Sequence, residues 1–412
     1  MMQTKLPQDF VRLMHEHYES ATADALCCAL DTTEPEVSIR LNPRKLSAEE
    51  VLACNPDLEP VPWCPNAFYL PGRPPFTFDP LFHAGAYYVQ EASSMYIAQV
   101  YNEMKASLLR GRLEGDCPLL VLDLCAAPGG KSTLLQGLLP DHSYIISNEP
   151  IAKRAQVLAE NMQKWMTGQP EDVPQVIVTQ NYPVEFGSLT DCVDVLLTDA
   201  PCSGEGMFRK EEVARQEWSM ENVAMCQQRQ RNILQDIWHV LKSGGLLIYS
   251  TCTFNRYEDE DNARWICCEL GGELLMERHF LPGRDRGEGF YVAVIRKDTP
   301  SLLLPRRGWK DPLSLLKGNN VIWYSLQPST GGENVNVQCS PRIELSYNEA
   351  LQYLRREALR MEAPRGSVTL CYRGLVLGSG KGVGNRINNL YPERWRIRTT
   401  YTTPFSLLER IE

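Results

Sequence analysis

The sequence predicts a doubly wound α/β core with an N-terminal α+β extension and a small C-terminal α+β module. The first observation behind this is a series of short apolar runs from Pro118 onward, LLVLDL, SYIIS, QVIVTQ, VDVLLTDA and GLLIYSTC, separated by segments of helical periodicity. Runs this short and this apolar suit parallel strands covered on both faces. The second is length: 412 residues exceed one compact core, so two or three domains are expected. The third is a proline- and glycine-bearing stretch, residues 299–342, beyond which the charge changes sign. Residues 301–412 hold 16 Lys and Arg against 9 Asp and Glu, a balance of +7, whereas residues 1–300 stand at −16. The expected divisions are 1–95 for the N-terminal region, 96–298 for the α/β domain, 299–342 for a linker and 343–412 for the C-terminal module.

In chain order, Phe10, Leu13, Met14 and His17 recur at helical spacing, VSIRLNPRKL reads as a strand, and PWCPNAFYLPGRPPFTFDP reads as loop or edge structure. QEASSMYIAQVYNEM returns to helical periodicity. Within the α/β domain a long helix is expected from about Glu221 to Leu241, stopped by Ser243-Gly244-Gly245, and GFYVAVIRK is expected as the strand closing the sheet. The tail offers one amphipathic helix, SYNEALQYLRREAL, two short strands, SVTLCY and GLVLGSG, and the basic run KGVGNRINNLYPERWRIR.

With 43% hydrophobic and 23% charged residues the chain falls in the soluble globular range. No run approaches the roughly 18–20 apolar residues of a membrane span, and the opening MMQTKLPQDFVRLMHEHYES is acidic where an export signal would be apolar, so no membrane partner and a cytoplasmic location are expected. The 14 cysteines are scattered without metal-ligand spacing, which implies reduced thiols and no metal site. A monomer is the default expectation.

The first apolar run leads into Cys125-Ala126-Ala127-Pro128-Gly129-Gly130-Lys131-Ser132, a small-residue turn opening a helix, where backbone N–H groups can face a ligand. A nucleoside-triphosphate loop would need glycine at the position held by Cys125, and no GxGxxG is present. What remains is a loop that can lie against a nucleoside-like ligand, with Glu149 at the end of the second run placed to bind a ribose diol. The fourth run ends in Asp199-Ala200-Pro201-Cys202 and the fifth in Thr251-Cys252-Thr253, so both thiols and Asp199 should project into the crevice beyond the strand ends. Carbon 5 of a pyrimidine is too poor a nucleophile for direct methylation. A thiolate must add to carbon 6 first, an acid such as Asp199 can support the addition at N3, and a second thiol can assist release.

LDLCAAPGGKST, NEP, TDAPCSGEGMFRK, STCTFNRYEDE and GEGFYVAVIRK together resemble the ordered motifs of the Sun family of RNA cytosine-carbon-5 methyltransferases, over about residues 85–297. NPRKL and YYVQEASSM resemble the N-terminal part of that family, and residues 343–398 resemble the small PUA-like RNA-binding module of the bacterial 16S rRNA methyltransferases F. The resemblance implies a Rossmann-like S-adenosylmethionine methyltransferase core with S-adenosyl-L-methionine held by Cys125 to Lys131, Glu149, Asn181 and Asp199. It also implies Cys252 as nucleophile, Cys202 as the releasing thiol and Asp199 as a substrate contact. The family usually has Asp where this chain has Gln180-Asn181; an Asn carbonyl can still accept from the adenine amino group. Lys131 beside the loop could favour the Cys252 thiolate, or could point to solvent. On chemistry alone Pro201-Cys202 also fits the nucleophile of the DNA cytosine methyltransferases; the resemblance favours Cys252.

Arg386, Arg394, Arg396 and Arg398 with Tyr391 and Trp395 interleave cations and aromatics, which suits phosphate contact and base stacking; the bland alternative is a basic edge with Trp395 in the core. The expected partner is RNA, ribosomal RNA before transfer RNA, entering as an extruded or unpaired cytosine. The competing functions are a ribosome-assembly factor retaining the fold, and methylation of protein or of an exocyclic nitrogen, neither of which needs two thiols.

Overall fold

The computed structural model describes residues 6–109, 118–187, 189–298, 323–326, 340–399 and 403–408. Contacts gather the chain into two units, residues 1–36, 91–158 and 176–324 in the first, and residues 37–90, 159–175 and 325–412 in the second. Each unit is assembled from separated stretches of the chain. Most of the expected linker lies outside the described residues.

The first unit carries a sheet of β1 (Leu120–Asp123), β2 (Tyr144–Asn148), β3 (Gln175–Thr179), β4 (Val193–Asp199), β5 (Leu241–Thr251), β6 (Gly272–Phe280), β7 (Phe290–Lys297) and β8 (Trp323–Leu326), in the order β6-β7-β5-β4-β1-β2-β3-β8. β1 pairs in parallel with β2 and β4, and β4 with β5, as the buried apolar runs require. The chain steps from β1 to β2 on one side and returns at β4 on the other, so the crevice beyond β1 and β4 is the switch point where such sheets bind ligands. Helices α1 (Gly130–Leu138), α2 (Ala152–Met166), α3 (Met220–Ile237) and α4 (Glu260–Leu270) link the strands.

Three sequence expectations for this sheet are corrected. α3 stops at Ile237, and Leu241 already begins β5, so Ser243-Gly244-Gly245 lies inside a strand. The register with β4 moves from Val193↔Leu241 to Val195↔Leu246, and the extra residues form an irregularity there. GFYVAVIRK does not close the sheet: β7 runs antiparallel between β5 and β6. The edge strand β6, GELLMERHF, is largely polar and half-exposed, which hides its strand character.

Helices at Gln8–His17 and Ser20–Thr32 also belong to this unit. The buried Phe10 stacks edge-on against Phe208 and Trp218, at 5.0 and 5.5 Å between ring centroids, and against Phe254 at 6.4 Å, beside the turn after Cys252. No helix among the described residues is long and apolar enough to cross a membrane.

The second unit holds two four-stranded sheets. One joins Val37–Leu41, Glu59–Pro60, Ala67–Leu70 and Tyr87–Val89, so PWCPNAFYLPG, expected as loop or edge structure, contains a strand paired directly to Val37–Leu41. The other joins Arg342–Glu344, Ala363–Tyr372, Leu375–Gly384 and Ile387–Asn389 beside a helix, Tyr347–Leu354, that stops five residues before the end of SYNEALQYLRREAL. Both sheets contribute to one apolar cluster that includes Ile39, Phe68, Tyr87, Leu351, Leu370 and Tyr391. The buried Asp79 accepts from Leu81 N, Tyr87 Oη and Leu407 N, tying together residues more than 300 apart in sequence.

The NPRK segment acts as a brace at the end of α2. Asn42 Nδ2 donates to Gly85 O (3.1 Å) and Trp165 O (2.9 Å), and Lys45 Nζ donates to Ala84 O (2.6 Å) and Lys164 O (2.7 Å). Donors placed on terminal helix carbonyls satisfy groups that have no intrahelical partner. Burial pushes the Lys45 amine from its ordinary 10.5 down to about 7. Between those values the unfolded chain binds more protons than the folded one, so Lys45 adds stability as pH rises from 7 towards 10.5. Lys45→Met should therefore destabilise the unit more at pH 9 than at pH 7, by about 1–2 kcal/mol. Urea unfolding at the two pH values measures the gap, and an equal loss at both would show that the amine stays charged.

Candidate functional site

All the residues singled out from the sequence for catalysis and cofactor binding lie in the first unit. After β1 the loop turns at Gly129, whose φ of +113° lies in the left-handed region that glycine adopts without strain, and α1 begins at Gly130. Asn148 stitches the neighbouring strand ends: Nδ2 donates to Leu124 O and Asn181 O, while Oδ1 accepts from Thr179 Oγ1 and Asn181 N. Sequence reading missed this residue, although it sits beside Glu149 in the NEP motif.

Glu149 is almost fully buried. Its Oε1 accepts from Ile151 N at 3.0 Å, and its Oε2 lies 3.3 Å from Arg154, whose guanidinium also donates to Ala127 O in the loop. Asn181 is buried at the end of β3. Asp123, also missed, ends β1 directly beneath the loop and accepts from Ser132 Oγ at 2.7 Å; burial pushes its carboxyl up to about 7. Burial, then the charges of Asp123, Asp199 and Glu149, drive the Cys125 thiol upward, so Cys125 is no ready nucleophile.

Lys131 does not point into solvent. Its Nζ lies 2.7 Å from Asp199 Oδ2, and Asp199 Oδ1 accepts from Ser250 Oγ at 2.7 Å. Burial opposes the ammonium charge, but Asp199 outweighs it, with smaller contributions from Asp123 and Cys252, and Lys131 is raised. Cys202 Sγ lies 3.3 Å from Cys252 Sγ. The hydrogen bond to Cys252, then burial, hold Cys202 well above an ordinary thiol.

The two thiol-bearing turns are bolted to each other. Gly206 N donates to Cys252 O at 2.8 Å, and a Cβ on Gly206 would stand 2.9 Å from that oxygen, so only glycine allows the approach. Glu205, fully buried, accepts from Phe254 N, Asn255 N, Asn255 Nδ2 and Trp218 Nε1. Glu258 accepts from Ser203 N, Gln230 Nε2 and Asn255 Nδ2. Burial raises both carboxyls, Glu205 to about 7. Neither was singled out from the sequence, although both lie within the motifs TDAPCSGEGMFRK and STCTFNRYEDE; their one signal was closeness to the two cysteines.

In the second unit, Tyr391 is buried against Tyr353 and Trp395, so it cannot stack on a base. Trp395 carries Lys164 over its ring, and Arg394 and Arg396 pair with Glu160 and Glu393. Arg386 and Arg398 are exposed.

Models of three families match the chain: 16S rRNA methyltransferase RsmB/F over residues 113–296, the N-terminal domain of 16S rRNA methyltransferase RsmF over 6–92, and the methyltransferase RsmF PUA domain over 340–397. The ribosomal RNA small subunit methyltransferase F of Pectobacterium atrosepticum is 34% identical over 74% of this chain, which spans 65% of that relative's length. Its counterpart from Citrobacter koseri is 30% identical over 85% of this chain and 74% of its own. A solved structure of a methyltransferase homolog protein from Pyrococcus horikoshii is 25% identical, with a TM-score of 0.53, over 71% of this chain and all of that one. With its core, N-terminal and PUA segments all matched in order, this chain belongs to the RsmB/F family of 16S rRNA methyltransferases.

Proposed function

We propose that this chain methylates carbon 5 of a cytosine in RNA, with ribosomal RNA as the substrate class, through a covalent adduct of Cys252. The observation that carries the reading is the pair of thiols, Cys202 and Cys252, 3.3 Å apart at the strand ends with the Lys131–Asp199 pair in the same unit. Methylation of an oxygen, an exocyclic nitrogen or a protein side chain requires no such pair.

The loop fits S-adenosyl-L-methionine. Three carboxylates, Asp123, Glu149 and Asp199, act on Cys125 within it, a donor set that repels phosphates and suits a ligand carrying sulfonium and ammonium charges. Glu149 would hold the ribose diol, Asn181 the adenine end, and residues 125–131 the rest. When bound, the cofactor supplies an electrophilic methyl group.

Cys252 adds to carbon 6 of the cytosine as a thiolate, which places electron density on carbon 5. Lys131 stabilises the anionic sulfur and keeps Asp199 oriented by their ion pair. Asp199 faces the pyrimidine N3 and shares with it the proton of the Lys131–Asp199 pair as the addition proceeds. After methyl transfer Cys202 assists removal of the carbon 5 proton, and the Cys252–carbon 6 bond breaks. The relatives named for ribosomal RNA favour that substrate over transfer RNA. The exposed Arg386 and Arg398 remain to meet its phosphates.

The test is to incubate the full chain with unmodified bulk ribosomal RNA and methyl-labelled S-adenosylmethionine, then digest the RNA to nucleosides. Label in 5-methylcytidine is expected. Label in an N-methylated nucleoside, or in protein alone, would sink the reading.

A further inference from the structure

The groups around Cys252 include a buried polar cluster that the chemistry above does not use. Asp259, fully buried at the start of α4, accepts on Oδ1 from Thr251 Oγ1 and, at 3.0 Å, from Thr253 Oγ1. These are the residues on either side of Cys252. Asp259 Oδ2 lies 3.2 Å from Nε2 of His279 on β6, and the same nitrogen is 3.1 Å from Thr253 O. His279 Nδ1 faces Tyr18 Oη at 3.2 Å and Glu260 Oε1 at 3.6 Å.

Tyr18 has already given its proton to Phe254 O, at 2.6 Å, so it can only accept from Nδ1. Both ring nitrogens therefore face acceptors, and His279 is an imidazolium. Burial works against that charge, but Asp259 and Glu260 prevail and raise His279 to about 10.

The geometry gives this cluster a direction. Thr251 is the last residue of β5, and the chain bends at Cys252. Drawing Thr251 and Thr253 onto one carboxylate oxygen holds both flanks of that bend, and with them the Cys252 side chain, whose Sγ lies 3.3 Å from Cys202 Sγ. His279 fixes the next carbonyl and Tyr18 the one after. A buried ion pair is a poor source of stability compared with apolar packing of the same volume, so stability alone does not account for it.

We propose that Asp259, with His279 behind it, is a positioning residue that aims the Cys252 thiol by holding Thr251 and Thr253. The inference rests on the methyl-transfer reading above. Its test compares the full chain with Asp259→Asn, with a Thr251→Val/Thr253→Val double variant and with a Thr251→Ser/Thr253→Ser double variant. Three quantities are read: kcat for methyl transfer to ribosomal RNA, KM for the RNA, and the rate at which iodoacetamide alkylates Cys252.

The valine and Asp259→Asn variants should lose about 10–100-fold in kcat, while KM and the alkylation rate stay within about threefold. A small, freely diffusing reagent does not need the thiol aimed; carbon 6 of a bound base does. The serine variant keeps both hydroxyls and should remain near wild type. Unchanged kcat in the valine variant, or a loss matched by faster alkylation and a raised KM, would overturn the positioning role. Wild-type chain that transfers no methyl group would instead overturn the reading on which it rests.

Discussion

Cys252→Ala should abolish both methyl transfer and any covalent protein–RNA species, with turnover falling by about ten-thousand-fold or more. The size follows from the chemistry. Without a thiol at carbon 6 the ring never becomes an enamine-like nucleophile, and the remaining groups can bind and orient the cytosine without activating it. The variant should still bind S-adenosylmethionine, because the loop from Cys125 to Lys131 and the buried Glu149 are untouched. Calorimetric titration of the cofactor, alongside denaturing gels of RNA incubations, separates loss of chemistry from loss of fold. Full activity in this variant would discard the covalent mechanism.

Cys202→Ala should have the opposite signature: a stable adduct, visible on a denaturing gel, with turnover lowered by about 100-fold or more. The leading cause of the raised Cys202 thiol is its hydrogen bond to Cys252. Once Cys252 is bonded to carbon 6 it carries no thiolate charge, that cause disappears, and Cys202 ionises more readily. The alternative, with Pro201-Cys202 as nucleophile, predicts the reverse: adduct in Cys252→Ala and none in Cys202→Ala. The 3.3 Å separation fits both assignments, and the two variants decide between them.

The site was legible wherever its residues stand at strand ends inside short motifs. The turn around Gly129 and the two cysteines follow apolar runs, and a parallel sheet sends such positions to one edge, so the sequence already implied that they meet. Asp123 and Asn148 were hidden by their position. They lie at the last residues of β1 and β2, where a polar side chain looks like the start of a loop, yet both are buried and bonded. Glu205, Glu258 and Asp259 were hidden by their chemistry, because acids in a polar run normally face water. Here backbone and side-chain donors from separate segments converge on them, and that convergence exists only once β4, β5, α3 and α4 are assembled.

The sequence by itself determined that the central strands run parallel and that Asp199 and the two cysteines stand at or just beyond strand ends. These depend on local patterns: hydrophobic runs, glycine turns and residues fixed by their place at a strand end. Only the tertiary structure decided that Lys131 pairs with Asp199, that Tyr391 is core, and that residues 37–90 share one apolar cluster with residues beyond 340. The reason is that burial and charge pairing are properties of the assembled chain. A side chain's partners are set by segments hundreds of residues away, and its protonation and exposure follow from those partners.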